Sequence, residues 1–171
     1  TLRRNLAVGN KYICVPWYKS DKLDDWKRFA DRLNAVAEKL SRCGVRTGYH
    51  SHAHDHQPVE GQIPWEIVAE NTDPRVILQL DTGNCMCGGA DPYAVLTKYA
   101  GRNQSIHLKP YSKAAGYEPA IGEDDIPWEK VLSWSENEGR TEWFIVEYEM
   151  DKAPVSAIEK SIRYLRTLRP L

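Results

Sequence analysis

The sequence predicts an α/β fold in which parallel strands alternate with helices. Apolar runs and amphipathic stretches alternate strictly along the 171 residues, five of each, and the apolar runs are nearly continuous. Strict alternation favours right-handed crossovers, and continuous apolar strands are typical of a sheet that is covered on both faces. No flexible linker interrupts the series, so residues 1–171 are predicted to form one domain.

The strands are predicted from short apolar runs, rich in β-branched residues, that end at proline, glycine or polar residues. These runs span residues 11–16, 45–52, 76–81, 105–109 and 143–149. The helices are predicted from apolar residues at i, i+3, i+4 and i+7, a spacing that places them on one face. They span residues 24–40, 63–71, 92–99, 128–138 and 155–168, with a long polar loop over residues 110–125.

The composition is ordinary for a globular protein, with 42% hydrophobic and 27% charged residues. A net charge of −1 gives no electrostatic reason to expect nucleic acid or an anionic membrane as a partner. No apolar run approaches the roughly 20 residues that span a bilayer, and no signal peptide is expected. The cysteines lack the spacing of a structural zinc site and indicate reduced thiols in a cytoplasmic protein; they are Cys14, Cys43, Cys85 and Cys87.

Four of the five histidines stand at alternate positions between residues 50 and 56. In an extended strand alternate side chains share a face, so His50 and His52 are expected to project together. His54 and His56 would join them if the strand continued that far. Neutral imidazoles on one face are a natural site for a divalent metal, and the alternative is a solvated, histidine-rich strand end or loop.

Ionisable residues also mark the ends of the later strands. In chain order the candidates are His50 and His52, then Asp81, then His107, then Glu147. The carboxyl ends of parallel strands lie together, so these side chains are expected to converge. Imidazoles and carboxylates in one place suit a divalent ion such as manganese, cobalt, zinc or magnesium.

Each candidate ligand also has a purely structural interpretation. Asp81, which precedes Thr-Gly-Asn, could cap a turn. His107 could be a core histidine with a satisfied hydrogen bond, and Glu147 could pair with Lys109. The metal site is favoured because a buried strand that ends on an ionisable group has to satisfy that group.

Five segments carry a resemblance to a known family: Gly-Tyr-His-Ser-His at 48–52, Leu-Asp-Thr-Gly-Asn at 80–84, Ile-His-Leu-Lys at 106–109, and residues 121–128 and 145–149. In this order they resemble the successive motifs of the xylose isomerase-like TIM barrels. That group contains sugar and sugar-phosphate isomerases and epimerases, inosose dehydratases and relatives. The resemblance runs from about residue 11 to the C-terminus. It implies one divalent metal ion, held at the mouth of the barrel by His50, Asp81, His107 and Glu147, with His52 as the alternative to His50.

The chain departs from the family pattern in three ways. A complete barrel needs eight strands and roughly 250 residues. By the resemblance the five strands here correspond to strands four to eight, and the first three βα units are missing. The chain is therefore expected to be part of a longer protein or to assemble with a partner, such as a second copy of itself. Epimerases of the group usually carry a glutamate, both ligand and proton-transfer group, where this chain has His50. The aspartate that usually follows His-Leu-Lys is Pro110 here.

The predicted function is a metal-dependent isomerase or epimerase acting on a sugar, sugar phosphate or keto-polyol. A proton would be moved next to a carbonyl that the metal polarises. The predicted catalytic residues are Glu147, His50 and Lys109, with Glu147 as the proton acceptor. Substrate binding is assigned to Trp17, His52 and Lys109. Packing in the core or at the rim remains open for Trp17, and a solvent-facing side chain remains open for Lys109.

Other functions remain as alternatives. An inosose-type dehydratase would use the same site and lose hydroxide instead of returning a proton. A hydrolase related to the apurinic-site endonucleases would be expected to show a basic face. A metallo-β-lactamase-like hydrolase is the other metal-dependent alternative, but its pattern H-x-H-x-D-H is not met, because His54 and Asp55 stand in the wrong order. A partial barrel without catalytic activity is the last alternative.

Overall fold

A computed structural model describes residues 2–150 and 154–169 of the chain. The five strands are Tyr12–Val15 (β1), Arg46–His50 (β2), Ile77–Gln79 (β3), Ser105–Leu108 (β4) and Trp143–Val146 (β5). The helices are Leu2–Ala7 (α1), Leu23–Ser41 (α2), Pro64–Glu70 (α3), Thr82–Cys87 (α4), Pro92–Lys98 (α5), Trp128–Asn137 (α6) and Pro154–Leu168 (α7). The α/β fold predicted from the sequence is confirmed.

The five strands stand side by side in chain order, and all paired strands are parallel. β1, β2 and β3 form one hydrogen-bonded group, and β4 and β5 form another. The two groups are joined by the amide of His107, which donates to the carbonyl of Leu80 (2.8 Å), and by the amide of Leu78, which donates to the carbonyl of Arg102 (2.8 Å). Within the described residues the outer edges of β1 and β5 have no strand partner, so the barrel is not closed.

Aromatic residues from the second helix and the second strand form the centre of the core. The apolar stripe of α2 points Trp26 and Phe29 inward, where their rings pack edge-on against the ring of Tyr49. Tyr49 and Trp65, from β2 and α3, are fully buried beside them. This packing holds β2, the strand that ends on the histidine cluster, against the helical layer.

Two glycines allow close approach around the ends of the strands. Gly48 pairs with Ile77 across β2 and β3, and a methyl group at Gly48 would overlap the backbone of Ile77. A methyl group at Gly83 would lie 2.8 Å from the carbonyl oxygen of Lys109, closer than Cβ atoms pack. Glycine is therefore required at both positions, and the ends of β2, β3 and β4 are brought together.

The histidine segment differs from an extended strand. β2 ends at His50, and residues Ala53–His56 form a 3₁₀ turn. Asp55 causes this turn: it is fully buried and accepts hydrogen bonds from the amide of His52 (2.7 Å) and the hydroxyl of Tyr49 (2.9 Å). The strand therefore does not reach His54 and His56, and the condition under which they would share a face with His50 is not met.

Other element boundaries differ by smaller amounts. α1 and α4 were not predicted, and the third and fifth strands are shorter than expected, so that Asp81 and Glu147 lie just beyond them.

The extent of the single predicted domain stays a prediction, and its ends, Thr1 and residues 170–171, lie outside the described residues. Among the helices of the described ranges, none has the length and apolar character needed to cross a bilayer.

Candidate metal centre

Four ionisable side chains converge where the carboxyl ends of the strands meet. One donor atom from each lies within 4.8 Å of the donor atoms of all the others; the residues are His50, Asp81, His107 and Glu147. Each lies within two residues of the carboxyl end of a different strand, β2, β3, β4 or β5. Convergence follows from parallel strands standing in chain order, because their carboxyl ends then share one edge.

Asp81 both caps a helix and faces the centre. Its side chain is fully buried, and Oδ1 accepts from the amide of Asn84 (2.8 Å) at the start of α4. Oδ2 is buried as well and accepts no hydrogen bond from any residue in the described ranges. The capping role considered for Asp81 is therefore present, and it leaves one carboxylate oxygen available.

His50 is a neutral, buried donor. Its ring centroid lies 4.3 Å from that of His107, and its Nδ1 has no hydrogen-bond partner in the described part of the chain. Burial, assisted by the neighbouring His107, lowers the pKa of His50 to about 3. The imidazole is therefore neutral near pH 7, the form that coordinates metals.

Two nitrogen groups hydrogen-bond the side chain of Glu147 at once. Nδ1 of His107 hydrogen-bonds one of its oxygens, and Nζ of Lys109 lies 3.0 Å from the other. Burial alone would raise the pKa of Glu147, but these hydrogen bonds outweigh it and hold the pKa below its ordinary value. Glu147 is therefore a carboxylate, and its considered pairing with Lys109 is present.

Lys109 is buried among carboxylates and does not face solvent. Its side chain is 3% exposed, and its ammonium also pairs with Glu149. The same ammonium lies 3.9 Å from Oδ2 of Asp81, beyond hydrogen-bond distance. The solvent-facing interpretation of Lys109 is wrong.

The other histidines stand outside the four-residue group. The ring of His52 lies edge-on to that of His50 at 5.0 Å, and the ring of His54 stacks on His52 at 5.8 Å. His56 turns inward and packs on Trp65 at 5.5 Å. Of the two histidines weighed as ligands, the structure brings His50 rather than His52 into the group.

Trp17 lies on the exposed side of this imidazole row. Its side chain is largely exposed, and its ring centroid is 5.8 Å from that of His54. It does not contact the four-residue group directly, and its assignment to substrate binding stays a prediction.

Tyr117 and Asn84 also lie at the centre, although neither was predicted as a site residue. The ring of Tyr117 lies 5.1 Å from Nζ of Lys109, and its hydroxyl donates to Oδ1 of Asn84 (2.9 Å). Tyr117 lies in the long loop, where no periodicity points to any one residue. The signals for Asn84 were its place at the end of the Leu-Asp-Thr-Gly-Asn segment and its position three residues after Asp81, as in an N-cap turn.

The donor set fits a divalent ion. Two imidazoles and two carboxylates supply nitrogen and oxygen ligands, the mixture that zinc, manganese and cobalt accept. Donor atoms around one such ion lie within about 4.4 Å of each other, close to the spacing seen here. Two buried atoms of the four-residue group, Nδ1 of His50 and Oδ2 of Asp81, have no hydrogen-bond partner in the described ranges. Such atoms are costly to leave unsatisfied, and a cation would satisfy both.

Affinity for Mn²⁺ is expected to fall as the pH drops below 7. Burial raises the pKa of Asp81 to about 7, so below that pH a proton increasingly occupies the oxygen that an ion would need. Each pH unit below the pKa should weaken binding by up to about tenfold, while His50, already neutral, adds nothing. Titration calorimetry between about pH 8 and about pH 5.5 measures this dependence, and a flat profile would contradict it.

The family model of the xylose isomerase-like TIM barrels matches residues 2–168. The chain belongs to this family. The resemblance drawn from the five motifs is thereby confirmed.

The curated relatives that the chain matches include inosose dehydratases. The inosose dehydratase of Bacillus cereus is 25% identical over 170 residues, covering 87% of this chain and 56% of that protein. That of Clostridium tetani is 27% identical over 158 residues, covering 82% of this chain and 52% of that protein. The chain thus spans about half the length of the curated relatives it matches.

Solved structures show the same fold. A sugar phosphate isomerase/epimerase from Parabacteroides distasonis superposes with a TM-score of 0.82 at 24% identity, covering 95% of this chain and 59% of that one. A xylose isomerase domain protein from Planctomyces limnophilus gives a TM-score of 0.75 at 19% identity, covering 96% of this chain and 62% of that one. At these identities the likeness shows the fold alone.

Proposed function

We propose that the chain carries the metal centre of an enzyme that moves a proton next to a carbonyl in a sugar or keto-polyol. The observation that carries this proposal is the four-donor group, in which an ionised Glu147 stands beside buried Lys109. His50, Asp81, His107 and Glu147 would hold one divalent ion. When bound, such an ion would polarise a carbonyl and an adjacent hydroxyl and so acidify the neighbouring C–H.

Glu147 is the proposed proton acceptor. Its pKa below the ordinary value keeps it ionised near pH 7, and its side chain is 20% exposed whereas that of Asp81 is fully buried. Only the more accessible carboxylate can reach a substrate C–H. His50 is assigned to ion binding and not to proton donation, because its low pKa keeps the ring neutral.

Lys109 is proposed to stabilise charge. Its ammonium lies between Asp81 and Glu147 and would favour negative charge that develops on the substrate oxygen as the proton leaves. Lys109 already forms ion pairs with Glu147 and Glu149, so its ammonium is not free to pair with a substrate phosphate. Charge stabilisation is therefore favoured over a role in holding a substrate phosphate.

Two outcomes follow from the same first step. Return of the proton gives an isomer or epimer, so the first candidate function is that of an isomerase or epimerase. Loss of a neighbouring hydroxide gives a dehydrated product, so the second candidate function is that of a dehydratase. The second candidate is supported by the inosose dehydratase relatives and by His50, a neutral residue where epimerases of the group usually carry a glutamate. A cytoplasmic location and the absence of nucleic-acid partners stay predictions.

Incubation of the full chain with Mn²⁺ and candidate ketoses or keto-inositols in deuterium oxide tests the proposal. Deuterium next to the carbonyl of recovered substrate or isomer, detected by NMR, is expected for an isomerase or epimerase. Loss of water to give an unsaturated ketone is expected for a dehydratase. If the chain binds Mn²⁺ but shows no exchange and no water loss, the proposed function is contradicted.

A further inference from the structure

The loop of residues 110–125 is anchored at both sides of the metal centre. The hydroxyl of Tyr117 donates to Oδ1 of Asn84, in the helix that Asp81 caps. The next residue, Glu118, accepts through its carbonyl a hydrogen bond from the hydroxyl of Tyr148 (2.9 Å). The loop therefore joins the segment that carries Asp81 to the segment that carries Glu147.

The conformation of this loop is fixed locally as well. Ser112 and Gly116 exchange two backbone hydrogen bonds, of 2.8 Å and 2.7 Å. Gly116 has φ of +61°, which favours glycine, and the ring of Tyr111 packs against that of Tyr117 at 5.2 Å. Tyr117 is consequently presented to the centre in one orientation.

Lys109 needs such a fixed neighbour. Its ammonium pairs with Glu147 and Glu149, yet a third carboxylate oxygen, Oδ2 of Asp81, lies 3.9 Å away and accepts no hydrogen bond within the described ranges. A lysine side chain is flexible, and a shift of about 1 Å would bring it into direct contact with that oxygen. The ammonium would then occupy the oxygen that an ion requires.

We propose that Tyr117 is a positioning residue that keeps Lys109 between Glu147 and Glu149, so that Asp81 stays free to bind the ion. The face of its ring attracts the ammonium at 5.1 Å, and the ring is held both by packing on Tyr111 and by the bond to Asn84. This role rests on the metal centre of the proposed function. It adds a residue that acts through Lys109 and touches neither the ion nor the substrate.

A double-mutant cycle on Mn²⁺ affinity tests this role with the full chain. Titration calorimetry compares the parent with Y117L, K109M and the double variant. Y117L is expected to bind Mn²⁺ about tenfold more weakly, because the ammonium relaxes onto Asp81. K109M is expected to bind at least as tightly as the parent, and adding Y117L to K109M should then change the affinity by less than about twofold.

Three results would overturn the proposal. The first is an unchanged Mn²⁺ affinity in Y117L. The second is an equal loss of affinity when Y117L is added to K109M, and the third is a loss of affinity in K109M alone. Each would show that Tyr117 does not act by restraining Lys109. Circular dichroism checks the fold, and Y117M replaces Y117L if the latter unfolds.

Y117F is the matched control, because it keeps the ring and removes only the hydroxyl. Its Mn²⁺ affinity is expected to stay within about threefold of the parent. NMR gives a readout without metal: the Lys109 methylene protons nearest the ammonium should be shifted upfield by the ring in the parent and Y117F, and not in Y117L. A parent that binds Mn²⁺ and follows this cycle, but turns over no keto-sugar, contradicts the proposed function and leaves the role of Tyr117 intact.

Discussion

Asp81→Asn will weaken Mn²⁺ binding by about a hundredfold or more while leaving the fold intact. Substituting a residue that only supports a metal ligand already costs about 10- to 100-fold in metal affinity. This substitution removes the charge of a ligand itself. Asparagine is a good N-cap, so its side-chain oxygen can still accept from the amide of Asn84 as Oδ1 of Asp81 does. The substitution thus separates the two roles of this one side chain.

Calorimetry and thermal melts measure this effect. Mn²⁺ should raise the melting temperature of the parent, because it binds the folded chain, and should leave that of Asp81→Asn unchanged. Asp91→Asn is the matched control: Asp91 caps α5 in the same way, accepting from the amides of Tyr93 and Ala94, and it takes no part in the four-donor group. Parent-like affinity in Asp81→Asn would mean that this group is not the metal site.

The convergence of the strand ends was predictable because it depends on strand polarity alone. Asp81, His107 and Glu147 each lie near the end of an apolar run, and parallel strands present their carboxyl ends together. No side-chain packing has to be known for that step. The grouping of these residues could therefore be read from the order of the elements.

The choice between His50 and His52 could not be read in the same way. The two stand at alternate positions and share a face for as long as the strand continues. β2 ends at His50, and the turn that follows His52 is fixed by Asp55, which is buried and accepts from the hydroxyl of Tyr49 and the amide of His52. That contact depends on the packed core, and nothing in the alternating pattern records it.

The surroundings of Lys109 depend on the same kind of tertiary information. Its partner Glu149 lies 40 residues away and on another strand end, and Tyr117 comes from a loop without periodicity. A lysine after a strand is usually solvated, which is why the solvent-facing interpretation stayed open. Likewise α4 was missed because Gly83 disfavours a helix, whereas in the fold glycine is needed there to pass the backbone of Lys109.

Glu147→Gln will lower turnover by about a thousandfold when measured at saturating Mn²⁺. General acid–base groups contribute about 10²- to 10⁴-fold, and an amide cannot accept the substrate proton. Glutamine keeps the size of the side chain and an oxygen for Lys109, so the position of the ammonium should change little. Saturating metal separates this loss from weaker ion binding, which is also expected because Glu147 is one of the four donors.

Glu149→Gln is the control that makes the result specific. Glu149 also pairs with Lys109, but its side chain is 64% exposed and it lies outside the four-donor group. Its loss should therefore lower turnover by less than about tenfold, since an exposed ion pair contributes little. Equal losses of turnover in the two variants would mean that the effect comes from the charge around Lys109 and not from proton transfer by Glu147. A Glu147→Gln variant that still exchanges the substrate C–H proton with deuterium oxide at the parent rate would place the proton acceptor elsewhere.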